Sequence, residues 1–256
     1  MKWQELRDFL EEKAEFYNRP AFTETDPVMI PRSFSGKENQ EISGFLASSI
    51  AWGNRVSILK NARYLMALMD NNPFAFLTQS APSEWNTVSR FVHRTINGED
   101  MFFFARSLRS IYLNHGGLEQ LFTRSWMKRK EMGLVLADFH DIFLSIPHSA
   151  RSRRHIANVA AGSAAKRINL FLRWMVRSDD RGVDLGLWRK IPASALMLPL
   201  DVHSGKVARK LGLLQRHQND WKAVEEVTSA LRDMDPADPV KYDFALFGLG
   251  IFERFA

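Results

Sequence analysis

The chain has 256 residues, 45% hydrophobic and 25% charged, which places it among globular proteins and excludes disordered, collagen-like and mucin-like classes. It contains no cysteine, which excludes a disulfide framework, a four-cysteine zinc site and a cysteine-held iron–sulfur cluster, and fits a reducing, cytoplasmic compartment. Thirty-five Lys and Arg against 29 Asp and Glu leave a net charge of +6, a modest bias toward a polyanionic partner.

Helical spacing dominates from end to end and no alternating stretch is long enough for a sheet, so the expected class is all-α with about ten helices. The length suits a single domain over residues 1–256, built as two packed helical lobes with a cleft between them. Residues 1–13 mix Trp3, Leu6, Phe9 and Leu10 with Glu5, Asp8, Glu11 and Glu12, an amphipathic helix rather than a signal peptide. A proline-bearing loop is expected over 18–35. Helices over 38–52 and 55–69 should form a hairpin broken at Gly53 and Asn54, both tolerant of left-handed backbone. The segment 100–113 is apolar on most sides (Met101, Phe103, Phe104, Leu108, Ile111), as a helix in the middle of a bundle would be, and Gly116 and Gly117 end it. Further helices are predicted over 118–126, 131–146, 164–177, 202–211, 220–234 and 239–247, with a long loop over 178–200. The longest apolar run, Ala195 to Leu200, contains a proline and falls far short of the roughly 20 residues that span a membrane. No membrane partner is therefore expected.

Charge is the one marked shift in composition. From Arg151 to Arg177 stand seven basic residues (Arg151, Arg153, Arg154, Lys166, Arg167, Arg173, Arg177) and no acidic one, so the rest of the chain sums to about −1. On a helical wheel Lys166, Leu170, Arg173 and Arg177 fall in one arc, with Ile168, Phe171, Leu172 and Met175 opposite. The expectation is a core face and a cationic face, the latter either a solvated outer face or a surface turned toward phosphates. Lys128, Arg129 and Lys130, with Arg124, make a second basic cluster that suits either phosphates or solvent.

Two segments carry a resemblance. Ala160-Ala161-Gly162-Ser163-Ala164-Ala165-Lys166 leads into Arg167-Ile168-Asn169-Leu170-Phe171, and Leu198-Pro199-Leu200-Asp201-Val202-His203 leads into Ser204-Gly205-Lys206. Together they resemble the helix-hairpin-helix base-excision DNA glycosylases, most nearly the archaeal 8-oxoguanine branch. The whole chain is also similar to a bacterial family described as a domain of unknown function, for which the run from Lys166 to Met175 and the run from Pro199 to His203 are typical.

The glycosylase resemblance implies a two-lobed helical fold and a base-excision glycosylase and AP lyase that acts on a damaged, oxidised base. In such enzymes a lysine amine attacks the sugar carbon of a flipped-out nucleotide while an aspartate activates it and steadies positive charge on the sugar. Carried over, Lys166 is the nucleophile and Asp201 the carboxylate, with no cofactor and no metal implied. The seven histidines are scattered without ligand spacing. An amine attacks only when deprotonated. The start of its own helix and neighbouring Arg167 disfavour the ammonium, whereas Asp201 within reach favours it.

The expected nucleic-acid contacts are Gly162, Ser163, Arg167, Arg173, Arg177, His203 and Lys206, together with Trp52, Asn54 and Arg55, which stand where such enzymes probe an opened duplex. Structural roles compete for several of these: Asp201 precedes a helix and suits an N-cap, and Trp52 suits a core. The sequence departs from the pattern at Ala164, where the hairpin has a glycine, and at Ala161, near its usual proline. A β-carbon at Ala164 makes positive φ costly. The spacer of 35 positions from Lys166 to Asp201 exceeds that of most of the superfamily. The expected partner is DNA, with a monomer as the default state. The alternative is a non-catalytic member of the fold that binds nucleic acid, structured RNA included, or protein.

Overall fold

The computed structural model describes residues 2–255. Thirteen α-helices follow in order: α1 (Trp3–Tyr17), α2 (Pro20–Thr23), α3 (Met29–Arg32), α4 (Lys37–Ser49), α5 (Arg55–Ala67), α6 (Pro73–Gln79), α7 (Gly98–His115), α8 (Leu118–Arg129), α9 (Met132–Phe143), α10 (Lys166–Val176), α11 (Val202–Lys210), α12 (Trp221–Met234) and α13 (Tyr242–Ile251). Tighter 3-10 turns occupy Pro82–Arg90, Ser152–His155, Ala193–Ala195 and Pro239–Lys241. The described residues hold no strand, only isolated bridges pairing His93 with Ile96 and Ser163 with Asp220. No helix among them is long and apolar enough to cross a membrane.

The chain divides into two compact units. One joins the amino-terminal residues through Glu24 to the chain from Val159 onward, and the other is Thr25–Asn158. The second unit is one continuous stretch of chain, and the first is built from both ends of the chain.

In the Thr25–Asn158 unit, α7 is the central helix. Met101, Phe103, Phe104, Leu108 and Ile111 are all buried, and Phe104 lies 5.2 Å from Phe143 of α9 and 6.1 Å from Phe45 of α4, ring centre to ring centre. The helix begins two residues before its expected start, because Asn97 and Asp100 cap each other reciprocally: Asp100 N donates to Asn97 Oδ1 at 3.2 Å and Asn97 N donates to Asp100 Oδ2 at 2.9 Å. Gly116, at φ 79°, ends it as expected. Between α4 and α5 only Gly53 is left-handed (φ 97°), and Asn54 is instead extended and caps α5 through a 3.1 Å bond from Ser57 N.

In the other unit α1 and α11 pack on α13, and Gly248 lets the Tyr17 ring lie directly on the α13 backbone. The 178–200 segment is a core component rather than a surface loop. Trp188, Val183, Leu198 and Leu200 are buried. Its backbone closes over the end of α10, with Leu185 N on Trp174 O and Trp188 N on Met175 O, both at 2.8 Å. These bonds satisfy peptide groups that burial would otherwise leave unpaired. Such a segment shows no helical or alternating period because its fit is to one helix end and not to a regular surface.

Candidate catalytic site

The site begins where the chain enters α10. Gly162, at φ 88°, closes a turn with its N–H on Val159 O at 2.8 Å, and its carbonyl accepts from Trp221 N at 3.0 Å. That bond and the Ser163–Asp220 bridge tie the turn to the start of α12. Left-handed backbone is needed next at Ala165 (φ 52°), the residue before α10, and not at Ala164. The expected strain therefore sits one residue later than the hairpin comparison placed it. A non-glycine residue there costs conformational energy, which the buried Ala165 methyl and the 3.2 Å bond from Ala165 N to Ser163 Oγ help to offset. The constrained entry places Lys166 as the first residue of α10.

Asp201 is the residue before α11, and it does two things at once. Its Oδ1 caps the helix, accepting from His203 N at 2.8 Å and Ser204 N at 2.9 Å. Its Oδ2 lies 3.0 Å from Lys166 Nζ. The capping reading and the pairing reading are both correct, one per oxygen. Asn219 Nδ2 donates to Asp201 O at 2.9 Å and anchors the same residue from behind. The Asp201 side chain is 15% exposed and that of Lys166 is 32%, so the pair is held yet reachable. Burial alone would raise the Asp201 carboxyl, but the Lys166 ammonium and the helix-start amides outweigh it and hold the group below the usual carboxylate range. Asp201 is an anion at neutral pH.

The expected cationic face does not survive folding. Arg173 and Arg177 are each 3% exposed. Arg173 pairs with Asp184 at 3.2 Å and with Asp243, while Arg177 pairs with Asp179 at 2.6 Å, Asp238 at 2.8 Å and Asp184 at 3.2 Å. Both guanidinium groups also lie over the Phe244 ring, at 4.3 and 5.3 Å. The acid-free run is complemented by four aspartates that follow it in the chain, and its two last arginines belong to a buried ionic network. The roles in binding nucleic acid read for Arg173 and Arg177 are corrected accordingly: a side chain enclosed by carboxylates cannot also reach a phosphate.

Sequence reading missed Asp243, a buried carboxyl that pairs with Arg173 and feels the charges of Lys166 and Asp201. Burial pushes its carboxyl up to about 6; Arg173 and Lys166 pull it down, and Asp201 pushes it up. The signal that could have found it is the count of acidic residues available to two inward-facing arginines. Asn169, 1% exposed, also lines the entry and donates to Ala164 O at 3.3 Å.

The remaining predicted contacts divide between the units. Gly162, His203 and Lys206 are exposed, while Ser163 and Arg167 are half-buried, all in the unit that holds Lys166. Trp52, Asn54 and Arg55 belong to the other unit. Trp52 is half-buried against His93, with ring centres 5.1 Å apart, rather than sealed in the core. Asn54 is the α5 cap, and Arg55 reaches Asp26 at 3.5 Å. Among the described residues no group of three or more His, Asp or Glu side chains is placed to hold a metal ion.

The family model described as "Protein of unknown function (DUF2400)" matches residues 26–252. The chain belongs to that family. No curated protein and no solved structure matches it. In this DUF2400 chain the matched span contains both the Thr25–Asn158 unit almost entirely and the Lys166–Asp201 pair.

Proposed function

We propose that this protein acts on DNA as a base-excision glycosylase and lyase of the helix-hairpin-helix type, with Lys166 as nucleophile and Asp201 as its carboxylate partner. The observation that carries the reading is the 3.0 Å contact between Lys166 Nζ and Asp201 Oδ2, with the carboxylate fixed by its role as a helix cap. In sequence the two lie 35 positions apart, joined by a buried segment. A lysine at the first position of a helix, partly exposed and paired to an anchored aspartate, is the donor set that imine chemistry on an opened sugar requires.

Asp201 first takes a proton from the Lys166 ammonium across their 3.0 Å contact. The freed amine forms a bond to the sugar carbon that carries the base, the bond from that carbon to the base nitrogen breaks, and the base leaves with the electron pair and takes the proton back from Asp201. The sugar ring then opens, leaving its oxygen protonated and the lysine nitrogen joined to the carbon as an imine. Asp201, anionic at neutral pH, steadies positive charge on the sugar.

Borohydride reduction tests this directly. A covalent adduct on duplexes bearing an oxidised base or an abasic site is expected, mapped to Lys166 and abolished in Lys166→Ala. Asp201→Asn keeps an N-cap and should fold normally, yet lower adduct formation at least a hundredfold. Finding neither adduct nor base release across a broad lesion panel sinks the enzymatic reading.

A second reading is a member of the fold that binds nucleic acid or protein without chemistry, through the exposed His203 and Lys206 rather than through Arg173 and Arg177, which carboxylates enclose. Salt-dependent binding of duplex DNA or structured RNA that is unchanged in Lys166→Ala and Asp201→Asn supports it.

A further inference from the structure

In the Thr25–Asn158 unit an open cavity of about 370 Å³ lies between the end of α7 and the facing sides of α8 and α9. We propose that it is a binding site for a phosphate group, held by Arg124 and Lys128. It belongs to the unit that does not hold the Lys166–Asp201 pair, and it does not rest on the glycosylase reading.

Helical periodicity builds the site. Leu121, Arg124, Ser125 and Lys128 recur at the three- and four-residue spacing that aligns side chains on one face of α8, and Asp138, Asp141 and Ile142 do the same on α9. His115 closes the end. Leu121 and Ile142 supply the apolar part of the lining.

The charges in this cavity are unevenly satisfied. Arg129 holds Asp138 through two bonds, Nε to Oδ2 at 3.0 Å and Nη2 to Oδ1 at 2.8 Å, and Ser125 Oγ adds a third at 2.7 Å. Those bonds keep the Asp138 carboxyl below its ordinary range and leave it little capacity to attract a further cation. Asp141, 82% exposed, shares a 3.0 Å hydrogen bond with His140 Nδ1. Arg124 and Lys128 form no close ion pair among the described residues, Lys128 acting on Asp138 only through space, and they stand four positions apart on one helix, where like charges repel. Three cations, Arg124, Lys128 and Arg129, thus line a cavity with two acids, and Arg129 already holds one of those acids through two bonds.

A tetrahedral dianion fits that arrangement: the guanidinium offers a planar pair of donors, the ammonium a point charge, and His115 a third donor. The shared chemistry is a phosphate monoester, either free or at the end of a nucleic-acid strand.

Nuclear magnetic resonance titration of the full chain with inorganic phosphate, at fixed ionic strength against chloride, reads the site. Saturable shifts confined to the amides of residues 115–142 are expected, and the double variant Arg124→Gln/Lys128→Gln should weaken binding at least tenfold with no change in melting temperature. A tetranucleotide with a 5′-phosphate, run beside its 5′-hydroxyl twin, separates the sources. Tighter binding of the phosphorylated strand than of inorganic phosphate assigns the site to strand ends, and equal binding assigns it to a free phosphate. Shifts that chloride reproduces, or that persist unchanged in the double variant, overturn the proposal.

Discussion

Replacing Arg173 with methionine separates two physical pictures of α10. On an exposed cationic face the change would alter stability by no more than about 0.5 kcal/mol and would lower the salt dependence of DNA binding by about one counterion. In the structure Arg173 is 3% exposed, its Nε lies 3.2 Å from Asp184 Oδ1, its Nη1 meets Asp243, and its guanidinium stacks over Phe244 at 4.3 Å. Methionine fills most of the volume but leaves Asp243 facing a low-dielectric interior without its guanidinium. Asp184 keeps Arg177 at 3.2 Å, so only one of the two carboxylates is stranded. Removing one partner of a buried pair costs about 3–5 kcal/mol, and the surviving contact points to the lower part of that range. Urea unfolding at pH 7 should show the midpoint falling with an unchanged slope. Adding Asp243→Asn to Arg173→Met should recover part of the loss, because the second change removes the stranded charge. A stability change below about 0.5 kcal/mol in Arg173→Met, with a flatter salt slope, would refute the buried network.

A β-carbon at Gly98 would stand 1.9 Å from the backbone oxygen of Ser89, and one at Gly248 would stand 2.1 Å from the Tyr17 ring, which is itself stacked on Phe252 and bonded to Glu253. Thermal melts should show both alanine variants destabilised by about 1–3 kcal/mol or more, with Gly98→Ala the worse because backbone yields less readily than a ring. Asp243 has an ordinary value of 3.8 and is pushed up to about 6, burial being the largest cause. Below 3.8 it is protonated in folded and unfolded chains alike; above about 6 it is charged in both, and the folded chain bears the penalty. Its contribution therefore lowers stability by about 3 kcal/mol as pH rises from about 4 to about 6. Asp243→Asn should remove that slope from unfolding curves measured across the window, and an unaltered slope would count against the assignment. Asp201 acts in the opposite sense and at lower pH: its depressed carboxyl contributes stability that is lost as pH falls through its folded value.

Much of the local structure was legible in the residues. Helical class, the end of α7 at Gly116, the core aromatics of α7 and the start of α11 at Asp201 all follow from period and capping chemistry, which act over a few neighbouring residues. The short helices α2, α3 and α6 were missed, since four to seven residues with proline give too little periodic signal. The candidate pair was nameable from the motifs around Lys166 and Asp201. Its 3.0 Å contact was not, because it depends on how the buried 178–200 segment returns the chain to α10.

The net charge marks the boundary between the two kinds of knowledge. By itself the sequence determined that seven positive charges stand in an uninterrupted acid-free run, and that the chain folds as helices around an aromatic core. Only the tertiary structure decided which of those charges face water. Charges separated in sequence interact through space, and a buried guanidinium persists only where carboxylates compensate its lost hydration. Asp179, Asp184, Asp238 and Asp243 do so for Arg173 and Arg177, leaving Lys166, beside a capped and anchored Asp201, as the reachable cation of α10's first turn that an aspartate holds in place.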